Sequence, residues 1–137
     1  MTTAVNSSPK NTILVVDNQV LIQDFIKFSL NDMFQVVSVY SAEQALNRLE
    51  YYGPSDVVLS SLSLSGMTGL ELLQIIHKQY PNTLRILMSG GSTDHKEINH
   101  ALEHEHIHRF LQKPFSPSAL KSQLKKDLIS LNGRIIF

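Results

Sequence analysis

DVVLSSLSLSGMTG, residues 56–69, passes from an apolar run into a short polar loop and then to a glycine that opens an amphipathic segment. The run at 56–60 reads as a strand. Beyond Gly69 the apolar residues recur at helical spacing, so Ser61 stands at the carboxyl end of that strand. In an open α/β sheet this is the end where ligands bind and chemistry is done.

Upstream, TILVV at 12–16 is a near-continuous β-branched and apolar run, the mark of a central strand covered on both faces in a parallel sheet. Ile22, Phe25, Ile26, Leu30 and Met33 then share one face of a first helix over 20–33. FQVVSVY at 34–40 is a second strand. Ser41, with Gln44 three residues on, predicts a capping box for a helix that carries Ala42, Ala45, Leu46 and Leu49 and ends at Gly53-Pro54. Downstream, the helix from Gly69 buries Leu72, Leu73, Ile76 and Tyr80 and stops at Pro81. Residues 83–88 form a fourth strand. A fourth helix over 94–105 offers a thin apolar face, Ile98, Ala101 and Leu102, and is expected to be the loosest element. IHRFL at 107–111 is a fifth strand. Ser116 caps, and Pro117 opens, a last helix that buries Leu120, Leu124, Leu128 and Leu131 and ends at Asn132-Gly133. Five strands alternating with five helices predict an α/β fold, a parallel doubly wound sheet in three α/β/α layers with right-handed crossovers.

The 137 residues suffice for one domain with its own core, placed at 11–132, after a flexible tail at 1–10 and before a stub at 133–137. No apolar run approaches the roughly 20 residues that span a bilayer, so no membrane partner is expected. Twelve basic residues balance twelve acidic ones, which leaves no general field to hold a phosphate backbone and argues against direct nucleic-acid binding. The chain has no cysteine, hence no disulfide or thiolate chemistry, and MTTAVNSSPK lacks the basic and apolar regions of a signal peptide. A cytoplasmic location is the expectation.

Such a fold brings three segments to one sheet edge: Asp17-Asn18-Gln19 after the first strand, Ser61 after the third and Lys113 after the fifth. With Ser89, Gly90, Phe110, Gly66-Met67 and Gly69, their order and spacing over residues 12–131 resemble the receiver domains of bacterial two-component response regulators. The resemblance implies a CheY-like, flavodoxin-like sheet of order 2-1-3-4-5. It also implies a site in which two acids after the first strand help to hold magnesium. An aspartate on the third strand takes the phosphoryl group, a lysine contacts it, and the residues matching Ser89 and Phe110 rearrange together. The partners it implies are proteins: a sensor kinase, an output domain, or a second copy through the face of the fourth helix, fifth strand and fifth helix. IHRFLQKPF further resembles receivers joined to cyclic-dinucleotide phosphodiesterases or to enhancer-binding transcription regulators.

Against that pattern, Asn18 replaces the second acid, Ser61 the phosphoacceptor and Ser65 a loop proline. Asp17 alone remains of three carboxylates, and magnesium, a hard ion reluctant to lose its waters, wants several anionic oxygens. No cofactor is expected. A serine alkoxide needs a general base within reach, and none is placed for Ser61. Asp56, at the other end of the strand, is no spare acceptor. The reading is a pseudo-receiver, not an enzyme, acting by protein contact, with Lys113 paired to Asp17 and hydrogen-bonded to Ser61. The alternative is a receiver still phosphorylated on another residue or by another donor and switching through Ser89 and Phe110. A flavodoxin-like carrier would need a loop rich in Ser, Thr and Gly after the first strand, and a hydrolase would need G-x-S-x-G or converging carboxylates.

Two residue groups stay open. Asp17 either carries a charge role or caps the turn before the first helix. Five of six histidines fall between His95 and His108; His100 and His104 are one helical turn apart, and His106 and His108 alternate. An i, i+4 pair suits zinc, imidazoles also titrate near neutral pH, and a solvated histidine-rich helix face is the plain reading.

Overall fold

A computed structural model of the chain describes residues 11–91 and 94–132. The tail and stub read from the sequence lie outside the described residues. The elements run β1 (Asn11–Val16), α1 (Val20–Leu30), β2 (Phe34–Val39), α2 (Ala42–Tyr52), β3 (Val57–Ser61), α3 (Gly69–Gln79), β4 (Leu84–Ser89), α4 (His95–Glu103), β5 (Arg109–Gln112) and α5 (Pro117–Asn132). The strands form one parallel sheet in the order β2-β1-β3-β4-β5, as expected.

Side chains alternate across the sheet with the period of two that a strand imposes. Ile13, Val15, Val57, Leu59, Ile86 and Met88 meet α1 and α5 through Ile26, Leu30, Leu120, Leu124 and Leu128. Leu14, Val16, Val58 and Leu87 face the other way, onto α2, α3 and α4. A sheet covered on both faces has no solvated side, which is why every residue of β3 is buried. From β1 the chain turns outward to β2 and then returns to β3 on the opposite side. The crevice beyond the carboxyl ends of β1 and β3 is therefore the topological switch point, with Val16 beside Ser60 in the register.

The structure corrects the sequence reading in detail. Phe25 and Leu102 are each 37% exposed rather than core residues. The Phe25 ring tilts onto Phe115, their centroids 6.2 Å apart, and α4 sends Ile98 and Ala101 into the core. Ser41 Oγ accepts from Gln44 N as read, yet Gln44 Oε1 accepts from Tyr40 N, so the reciprocal bond lands one residue early. The complete box opens α3: Thr68 Oγ1 accepts from Glu71 N at 3.1 Å and Glu71 Oε1 from Thr68 N at 2.9 Å. Ser61 closes β3 instead of following it, and β4 runs one residue later than read.

β5 begins at Arg109, two residues later than the alternation in IHRFL suggests. Arg85 is the reason. This arginine, the second residue of β4, is 1% exposed. Its guanidinium donates to the carbonyls of Pro81 (3.1 Å), Thr83 (2.9 Å), Glu105 (2.7 Å) and His106 (3.0 Å). The backbone at 105–106 is thereby bound to a side chain rather than to a strand ladder. His108 N donates to Arg85 O and the His108 ring accepts from Arg85 N, and the regular ladder starts beyond it.

Candidate functional site

Asp17 follows β1 directly and is 1% exposed. One carboxylate oxygen, Oδ1, accepts from Gln19 N at 2.8 Å and closes the turn into α1. The other, Oδ2, accepts from Lys113 Nζ at 3.0 Å. Asp17 thus both caps the turn and bears a charge partner, and the pairing with Lys113 is the one read from the sequence.

The turn is held from below by Gln23, a residue the sequence reading passed over. Its Nε2 donates to the carbonyls of Val15 (3.0 Å), Asp17 (3.1 Å) and Val39 (2.7 Å), which joins the ends of β1 and β2 to α1. The signal was its position three residues before Ile26 and seven before Leu30, on the core face. A glutamine placed there needs polar partners, and here its Nε2 has them while its buried Oε1 has none among the described residues.

Ser61 is 4% exposed. Its hydroxyl does not hydrogen-bond Lys113 as anticipated: Oγ points to the Ser63 carbonyl at a long 3.5 Å, and the ammonium meets Asp17. Lys113 is placed by its own backbone, whose N–H donates to Ser89 O at 2.9 Å, and its peptide bond to Pro114 is cis. Ser89 ends β4 and is buried, while Phe110 lies half-buried against the α2–α4 side of the core. Asn18, Ser61, Ser63, Ser89, Gly90 and Lys113 all line one open cleft of about 510 Å³. Phe110 is not among its lining residues.

The loop from Ser61 to α3 is fixed by two glycines. Gly66 adopts φ +76°, a left-handed conformation that L side chains rarely take. Gly69 N donates to Leu62 O at 2.9 Å, and a Cβ built on Gly69 would fall 1.9 Å from Ser61 O. Any other residue there would push the site's serine off its strand. Asp56 is remote from all this: its carboxylate accepts from Thr12 N at 2.8 Å at the amino end of β3.

The histidines form a second assembly. His100 and His104 stack with centroids 4.0 Å apart and planes 24° apart. His106, in the connection to β5, lies 5.9 Å from His100 and 5.8 Å from His104. His77 on α3, which the sequence left outside the cluster, is 5.8 Å from His106. Burial first, and then the neighbouring imidazoles and Arg85, hold His106 below the usual imidazole range. His108 turns away into the protein, where burial and then the charge of Arg85 lower it too. Among the described residues, no three His, Cys, Asp or Glu side chains are arranged as metal ligands. Among them too, no helix is long and apolar enough to cross a membrane.

Comparison with known proteins places this arrangement. The response regulator receiver domain profile matches residues 13–125. The chain is 32% identical over 114 residues to the hydrogenase transcriptional regulatory protein HoxA of Cupriavidus necator, covering 83% of this chain and 23% of that one. It is 30% identical over 135 residues to a putative NtrX-like response regulator of Rickettsia conorii, covering 90% and 28%. The chain thus spans about a quarter of the length of these relatives. Among solved structures, the signal receiver domain of an HD domain-containing protein from Pseudomonas fluorescens Pf-5 superposes with a TM-score of 0.81 at 33% identity, over 91% of this chain and 99% of that one. A CheY-like receiver from Methanospirillum hungatei, at 24% identity, shares the fold with a TM-score of 0.82. With a turn, a strand end and a lysine converging at the switch point of a 2-1-3-4-5 sheet, and with the profile covering most of its length, the chain belongs to the response regulator receiver domain family.

Proposed function

We propose that this receiver domain signals by protein contact, without aspartyl phosphorylation and without enzymatic activity of its own. The observation that supports the reading is at the end of β3, where Ser61, which by resemblance matches the acceptor position, rests its hydroxyl on a backbone carbonyl instead of a base. Among the described residues, a serine so placed has no group to take its proton, and so no route to a reactive alkoxide.

The residues present do not fit magnesium. That ion demands near-octahedral oxygen at about 2.0–2.1 Å and is usually held by one or two carboxylates with retained waters. Here a single carboxylate is engaged on both oxygens, one of them by an ammonium 3.0 Å away. Lys113 stands where the cation's charge would be wanted. The state so held is one state, with Asp17 and Lys113 closed on each other whether or not a phosphodonor is present. Its partners are proteins of a cytoplasmic signalling pathway: a sensor kinase, an output domain, or a second copy docking on the face of α4, β5 and α5.

Amide NMR with magnesium, before and after addition of beryllofluoride as a phosphoryl mimic, tests the reading. Resonances of Asp17, Ser61, Ser89 and Phe110 are expected to stay in place. A concerted shift of the four would show a site that still accepts a phosphoryl-like ligand, and would replace this reading with a phosphorylatable receiver using another residue or donor.

A further inference from the structure

The backbone N–H of Arg85, on a residue 1% exposed, donates to an imidazole: His108 Nδ1 lies 2.9 Å away. A strand inside a parallel sheet ordinarily gives such a donor to a carbonyl of its neighbour. Here β5 has not yet begun, and the His106 carbonyl accepts from Arg85 Nε at 3.0 Å. His108 N completes the exchange by donating to Arg85 O at 2.8 Å. The side chain and backbone of one histidine therefore stand in for a rung of the ladder between β4 and β5.

That substitution makes the rung depend on a proton. An amide N–H only donates, so Nδ1 must offer its lone pair, and the neutral ring carries its hydrogen on Nε2. A carbonyl would accept at any pH; an imidazole nitrogen accepts only while it is unprotonated. Imidazolium donates from both nitrogens, so a proton on Nδ1 sets donor against donor and strands a buried amide.

The charged groups around the ring come from five segments. They are His77 on α3, Arg85 on β4, Glu105 in the connection, Arg109 on β5 and Asp127 on α5, the last two joined in an ion pair at 2.9 Å. Burial first, and then the Arg85 charge, hold His108 neutral in neutral solution; Glu105 and Asp127 favour the proton, His77 opposes it, and the balance is downward. His108 also borders a cleft of about 270 Å³ with Glu105, Arg109 and Asp127, so solvent protons have a way in.

We propose that His108 is a proton-operated latch at the entry to β5: the neutral ring closes it on the Arg85 amide, and protonation on Nδ1 opens it. The guanidinium of Arg85 keeps its hold on the carbonyls of Glu105 and His106, so the opening is confined to the ring and the first residues of β5. The device lies apart from the cleft at Asp17 and Ser61 and does not rest on how that cleft signals.

The test is imidazole nitrogen NMR of the full chain from pH 7.5 to pH 5, paired with amide hydrogen exchange over the same range. At pH 7.5 His108 is expected as the tautomer protonated on Nε2. As the ring takes its second proton, exchange at the Arg85 amide, corrected for its intrinsic pH dependence, should quicken roughly tenfold with the same midpoint, the loss expected when a buried amide gives up its partner. His108→Gln supplies an acceptor that does not titrate and should leave Arg85 exchange flat; His106→Gln should keep the transition. A tautomer protonated on Nδ1 at pH 7.5 overturns the proposal, and that reading needs no variant to fold. So does a ring still neutral at pH 5, an Arg85 amide indifferent to the His108 titration, or a response that survives His108→Gln.

Discussion

Lys113 and Asp17 are unequally buried, at 16% and 1% side-chain exposure, and this sets what breaking the pair costs. Removing one partner of a buried pair costs about 3–5 kcal/mol because a charge is stranded. Cleft water reaches the lysine side, so Lys113→Met is expected to cost about 2 kcal/mol, and Asp17→Asn in the same chain to recover most of that loss. Denaturant melts of the two singles and the double close the cycle; additive losses would mean the two residues do not interact. At the same site, Ser61→Asp with Asn18→Asp rebuilds a three-carboxylate pocket, and magnesium-dependent labelling by a small phosphodonor is the expected result. An inert, well-folded double variant would place the defect elsewhere in the scaffold. Gly69 has no such latitude. A methyl group 1.9 Å from Ser61 O must displace backbone, so Gly69→Ala is expected to destabilise by about 1–3 kcal/mol and to shift the Ser61 amide resonance.

At the scale of elements, Arg85 binds the end of α4 to the sheet. Four carbonyls on two sides of one guanidinium hold the chain from α3 to β4 against the chain from α4 to β5. Arg85→Met keeps the volume and removes every donor. It should cost about 2–4 kcal/mol, since buried acceptors are then left unpaired, and hydrogen exchange should quicken most at residues 104–108. Uniformly slow exchange in that segment would show that the carbonyls find other partners. α3 depends on its amino end in a simpler way. Thr68→Ala removes one side of its capping box and is expected to cost about 1 kcal/mol in a thermal or denaturant melt.

For the molecule as a whole, the titration of two histidines links folding to pH. His106 and His108 are both held below the ordinary imidazole value, by burial first in each case. The unfolded chain therefore binds more protons than the folded one once pH drops below about 6.5. Their contribution is fully present above that pH and is lost as pH falls through it toward the folded values. Melting temperature should decline between pH 7.5 and pH 5, and His108→Gln should flatten the decline; a constant melting temperature across that range would refute it. The elements, their order and the parallel sheet they build followed from sequence alone, because near-continuous apolar runs such as TILVV and period-3.6 faces such as Leu120, Leu124 and Leu128 encode burial locally. The positions of Asp17, Ser61 and Lys113 at one edge were legible as well, since a parallel sheet must deliver its strand ends together. Three things were decided by the tertiary structure. Gln23 has three carbonyl partners, Arg85 delays β5, and His77 meets His106, 29 residues away. Each depends on which side chains meet across non-adjacent elements, and no local period records that.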